Sequence, residues 1–136
     1  MTFLKKGLEI DPYNSIGHHL LGIAYRSLLN FRSAYSEFVL AIEMDPQSAL
    51  NWRLSGEMLM EQKRLDEAEQ YLRKALELDR NSVETLVILG KLYIRKEEYP
   101  KAKEFIEQAL RLDPRDVRAK ELLRSLGGAG SRSNRQ

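Results

Sequence analysis

The sequence predicts an all-α fold, a helical-repeat solenoid built from antiparallel helix pairs. Three observations carry the prediction. Asp11, Asp45, Asp79 and Asp113 stand 34 residues apart, and one fixed period of this length marks stacked helical units rather than a single closed core. Small residues keep the same register: Gly22, Gly56 and Gly90; Ala34, Ala68 and Ala102; Ala41, Ala75 and Ala109. Within a period, apolar residues recur at spacings of three and four, which places them on one face of each of two amphipathic helices.

The elements follow from this register. Residues 1–14 match only the second helix of a unit, with Leu4 aligned to Phe38, Gly7 to Ala41 and Ile10 to Met44. Whole units are expected at 15–48, 49–82 and 83–116. Asn14, Ser48, Ser82 and Asp116 stand where each first helix should begin, and all four are residues whose side-chain oxygen accepts an orphan backbone N–H. Pro12, Pro46 and Pro114 precede three of these caps, where the previous helix must have ended. In the third unit Leu86, Leu89, Leu92 and Tyr93 form one stripe. After a polar turn at Lys96, Glu97 and Glu98, the residues Ala102, Phe105, Ile106, Ala109 and Leu110 form the next. Pro100 fits the first turn of that second helix, where its missing N–H costs little. Residues 117–126 read as a capping helix with Ala119, Leu122, Leu123 and Leu126 on one face and Lys120, Glu121 and Arg124 outside. Residues 127–136 have the composition of a disordered tail.

The three glycines sit inside first helices, where each costs about 1 kcal/mol relative to alanine. Repetition in register calls for a packing reason: the second helix crosses there without room for a side chain. Ala34, Ala68 and Ala102 are the expected small surface opposite. Phe38, Leu72 and Ile106 are expected to fill the space between adjacent units.

Composition excludes several classes. The 136 residues include no cysteine, so neither disulfides nor thiol chemistry are available. A net charge of +2 does not argue for nucleic acid. The basic excess is C-terminal: from Val83 onward twelve Lys or Arg face eight Asp or Glu, which leaves ten of the 22 bases and twelve of the 20 acids before it. No apolar run approaches the ~20 residues of a membrane span. No secretory signal is present either, which favours a cytoplasmic location. His18 and His19 are the only histidines, and helix neighbours point about 100° apart, so they do not converge on a metal. His18 falls on the buried face as a core histidine. Asp66–Glu67 and Glu97–Glu98 lie at helix starts and favour the helix dipole. No phosphate-binding loop, metal site or cofactor site is expected, and no catalysis.

On these residues the chain resembles the tetratricopeptide repeat family, whose pattern is W-x2-L-G-x2-Y, then A-x3-F, then P. The first unit reads His18, Leu21, Gly22, Tyr25, Ala34, Phe38, Pro46. The second reads Trp52, Ser55, Gly56, Leu59, Ala68, Leu72, with Arg80 in place of proline. The third reads Leu86, Leu89, Gly90, Tyr93, Ala102, Ile106, Pro114. His18, Leu86 and Ser55 depart from the pattern and imply a locally looser core. The resemblance implies a right-handed solenoid that acts as a protein–protein interaction scaffold or adaptor, with its first helices lining a concave groove. The groove residues are then Ile16, His19, Ile23, Arg26 and Ser27; Leu50, Arg53, Glu57, Met60 and Glu61; and Glu84, Val87, Lys91, Ile94 and Arg95. The mixture implies an extended or helical guest peptide with apolar anchors and an acidic group. The family's carboxylate clamp for chaperone tails would fall at His19, Ile23, Leu54, Glu84 and Ile88, and its asparagine ladder at Leu20, Leu54 and Ile88. None of these residues is Lys, Arg or Asn, so neither use is expected.

Leu28, Leu29, Val39 and Leu40 take places that are polar in the other units; two readings stand side by side, scattered surface leucines or a surface for self-association together with the N-terminal helix. Two further readings stand beside the scaffold. One is a helical-repeat nucleic-acid reader, opposed by few groove aromatics and by Glu57, Glu61 and Glu84. The other is a regulatory segment of a larger enzyme or assembly.

Overall fold

The computed structural model describes residues 15–134, and its side chains through 127. The expected helix within 1–14 and the cap at Asn14 lie outside the described residues. Seven helices follow: α1 Ser15–Ser27, α2 Phe31–Met44, α3 Ala49–Glu61, α4 Leu65–Leu78, α5 Val83–Arg95, α6 Tyr99–Leu112 and α7 Val117–Asn134. Their starts at 15, 49, 83 and 117, and at 31, 65 and 99, keep the 34-residue period. The chain forms two compact units, residues 1–79 and 80–136. In the first, α1 packs on α2, α2 on α3, and α3 on α4; in the second, α5 packs on α6 and α7 on both.

The helix starts are chemically fixed. Ser48 accepts from the Asn51 N–H, Ser82 from the Thr85 N–H, and Asp116 from the Ala119 N–H at 2.9 Å. Asp66 and Glu67 occupy the first turn of α4, and Pro100 the first turn of α6. The Arg118 side chain, then the Ala119 N–H, hold the Asp116 carboxylate below the usual range. The stabilisation this gives is fully present above the ordinary aspartate value and is lost as pH falls through the lowered one.

Each hairpin closes through one three-residue turn. The N–H of Asn30 reaches the Tyr25 carbonyl at 2.9 Å and that of Leu29 the Arg26 carbonyl at 2.9 Å. Arg64 and Lys63, then Glu98 and Glu97, repeat the pair. This is the Schellman arrangement, which wants glycine at the left-handed residue. Here that residue is Leu29, Lys63 or Glu97, with φ of 59°, 63° and 61°. The sequence gives no sign of the left-handed turn, because none of the three is glycine.

The interior rests on the glycine notches. A Cβ on Gly22 would lie 2.6 Å from Phe38, one on Gly56 2.7 Å from Leu72, and one on Gly90 2.6 Å from Ile106. The close approach is as expected, but its agent differs. The large side chain one turn after each alanine lies over the glycine of its own hairpin, rather than only between units. Phe38 does both, since it also clusters with Leu54 and Met58 of the next hairpin. The alanines are fully buried, and the Ala68 carbonyl passes 3.3 Å from the same added Cβ at Gly56. Arg124 holds the fourth place in the glycine series and is exposed, so α7 offers no notch for a second helix. Contrary to the expected tail from 127, α7 continues to Asn134. Its first turns are packed through Ala119 and Leu126. Once a helix is nucleated, each added glycine costs only about 1 kcal/mol relative to alanine.

An aromatic staple joins α2, α3 and α4. The Tyr35 and Tyr71 hydroxyls are 3.0 Å apart, Trp52 lies 5.4 Å from the Tyr71 ring, and the Trp52 indole N–H donates to the Pro46 carbonyl. Burial, then the Tyr35 hydrogen bond, push the Tyr71 hydroxyl well above its ordinary value. Ser55, at the place of Leu21 and Leu89, is fully buried and its hydroxyl has no partner, which costs about 1–3 kcal/mol.

Gly56→Ala should lower stability by about 1–2 kcal/mol in urea unfolding, because overpacking outweighs the helix-propensity gain. Combined with Leu72→Ala, its cost should shrink, since the clash has been removed. Lys63→Gly should raise stability by about 0.5–1 kcal/mol by relieving the left-handed residue. The urea midpoint should fall as pH rises past the ordinary tyrosine value near 10, because the unfolded Tyr71 ionises first, and Tyr71→Phe should flatten that fall.

Candidate functional site

The first helices carry the residues expected to meet a guest, and each unit presents its own face. In the first unit α1 and α3 are tied together by His19, whose ring N–H donates to the Asn51 side-chain carbonyl at 2.7 Å. The His19 ring also rests 5.8 Å from Phe38. Ile16 and Leu50 hold the second position of their helices and are 69% and 44% exposed. Ile23 is half-buried against the Phe38 cluster, and Arg26 is half-buried near the end of α1. Ser27 turns its hydroxyl back to the Ile23 carbonyl. Arg53 lies 3.6 Å from Glu57 one turn on, so its charge is shared within α3. Glu61 is exposed.

In the second unit Lys91 and Arg95 are exposed and Ile94 is half-buried. Glu84 accepts from Arg118 of α7 at 2.7 Å, and the same guanidinium reaches Asp116 at 3.1 Å. These two carboxylates, Asp116 first, raise the Arg118 pKa.

Two expected groove residues do not face a guest. Met60 is 5% exposed and Val87 is fully buried. Met58, Leu59 and Met60 are buried in succession, as are Thr85 to Gly90. A helix apolar on more than one stripe is covered on more than one side, so the outward arc is narrower than a single-stripe reading allows. Sequence reasoning also missed Asn51 and Arg118. Arg118 could have been found, since it stands one period after Glu84 with the opposite charge. His18 is buried as expected and donates from Nδ1 to Glu37 at 2.8 Å.

The proposed self-association residues separate into two places. Leu28 and Leu29 occupy the α1–α2 turn, whereas Val39 and Leu40 sit in the later half of α2, roughly 14 Å along the helix from its start. Among the described residues no group of three or more His, Cys, Asp or Glu could hold a metal, and no helix is long and apolar enough to cross a membrane.

Comparison with known proteins matches this architecture. Tetratricopeptide repeat profiles fit residues 59–126, half of the chain, and residues 19–83. No curated protein sequence matches significantly. The crystal structure of MamA is similar with a TM-score of 0.89 and 24% identity, over 96% of this chain and 77% of that one. The Pseudomonas aeruginosa pilF structure gives 0.85 and 27% identity, over 95% of this chain and 59% of that one. The first TPR of Spaghetti (RPAP3), bound to HSP90 peptide SRMEEVD, gives 0.83 and 19%, over 86% and 93%. With its 34-residue helix pairs, its glycine notches and these two profile matches, the chain belongs to the tetratricopeptide repeat family.

Proposed function

We propose that the chain is a non-catalytic scaffold that binds a segment of another protein on the outward faces of its first helices. One observation carries the reading. Ile16 and Leu50 hold equivalent places at the starts of α1 and α3 and leave large apolar side chains in water, which a purely solvated face does not need. Around them are His19, Ile23, Arg26, Arg53 and Glu57; the second unit adds Glu84, Lys91, Ile94 and Arg95. The guest is an extended or helical segment with apolar anchors and at least one carboxylate. On the first unit's face a guest carboxylate would compete with Glu57 for Arg53; on the second unit's face a carboxylate would meet the exposed Lys91.

That a similar fold holds an HSP90 peptide supports a peptide guest in general. It does not extend to that ligand's chemistry, because the clamp positions here are His19, Ile23, Leu54, Glu84 and Ile88, and Leu54 and Ile88 are buried. Glu57, Glu61 and Glu84 on the same faces weigh against a nucleic-acid guest, whose affinity comes from neutralised phosphates.

The test is fluorescence titration with peptides that alternate leucine and glutamate. Wild type should bind, and Arg53→Glu combined with Lys91→Glu should weaken binding about tenfold or more. Unchanged affinity in the double reversal would count against these faces.

A further inference from the structure

We infer that the turn between α1 and α2 docks on a membrane surface that carries anionic lipid. Leu28 and Leu29 form its tip, 66% and 73% exposed. The same turn in the other hairpins carries Gln62–Lys63 and Lys96–Glu97, so the hairpin closes without apolar residues there. Leu29 also occupies the left-handed backbone region, with φ 59°, which leucine tolerates poorly. Lys63 and Glu97 share that backbone, so what sets this turn apart is its two adjacent leucines in water, which a surface that removes them from water would explain.

The surrounding charge selects that surface. From Ser15 to Ser36 there is no Asp or Glu. Arg26 precedes the tip and Arg32 follows it, and neither makes an ion pair among the described residues. The first acid, Glu37, is engaged by His18. The neighbouring turn of the same unit has Lys63 and Arg64 beside Glu61, Asp66 and Glu67, and Glu67 is held by Arg64 at 2.7 Å. Leucines flanked by guanidinium groups suit the bilayer interface, where apolar side chains enter the acyl boundary and cations stay among the phosphates. A stable protein interface buries on the order of 800 Å² per partner, well beyond what two leucine side chains supply. Leu40 lies too far along α2 to enlarge the patch. Arg26 also borders the peptide-binding face of the first unit, but the leucine tip and Arg32 lie outside it, so the inference does not rest on that face.

Flotation of the whole chain with vesicles of one part phosphatidylserine to two parts phosphatidylcholine tests it. Wild type should float at low salt and less at high salt. Leu28→Gln with Leu29→Lys places the second turn's own residues at the first, so the helical circular dichroism should be unchanged, while vesicle binding falls about tenfold or more. Arg26→Gln with Arg32→Gln should also weaken it. A wild type that does not float, or a leucine variant that floats equally well, overturns the inference. So does a wild type that stays off vesicles but forms a concentration-dependent dimer lost in the leucine variant, because the tip would then belong to a second copy.

Discussion

The glycine notch is the contact on which the rest of the architecture depends. At Gly22, Gly56 and Gly90 a large side chain from the partner helix occupies the volume a Cβ would need. Packing of that kind is as dense as an organic crystal, and little can be added without displacement. It fixes how closely each pair of helices approaches, and the buried alanines at 34, 68 and 102 keep the facing helix equally slim there. Phe38 extends the same contact forward to Leu54 and Met58, so in the first unit the packing of one hairpin also seats the next.

That dense packing limits what is left for recognition. The first helices α3 and α5 are covered on more than one side, which removes Met60 and Val87 from any outward face. What remains is Ile16 and Leu50 in the first unit and Lys91 in the second, together with charges already engaged inside each unit, such as Arg53 with Glu57 and Glu84 with Arg118. A guest carboxylate at such a place exchanges one partner for another, so the interaction favours selectivity over raw affinity.

Much of the fold was legible in the sequence because its determinants are local and recur in phase. Ser48, Ser82 and Asp116 cap as their chemistry requires, and Pro100 sits in a first turn. The candidate site was less legible. A helical wheel assigns one stripe to the partner helix and gives the remainder to solvent, so it misplaced Met60 and Val87. The His19–Asn51 bond joins residues 32 apart, off the period, and no in-phase comparison would pair them. Nor does composition reveal that Leu29, Lys63 and Glu97 hold left-handed backbone, since the residue that usually announces it is missing.

The closing turns have one more consequence. Asn30, Arg64 and Glu98 each finish one helix and start the next: the N–H of each satisfies a carbonyl behind it, and its own carbonyl accepts the first bond ahead, from Ala34, Ala68 and Ala102. No spare residue separates the two duties. Substitution at these corners is therefore tolerable, as three different amino acids attest, whereas inserting or deleting a single residue would break both helix ends at once. Divergence among such chains should accumulate as changes of letter within hairpins, while the count of letters per hairpin stays frozen.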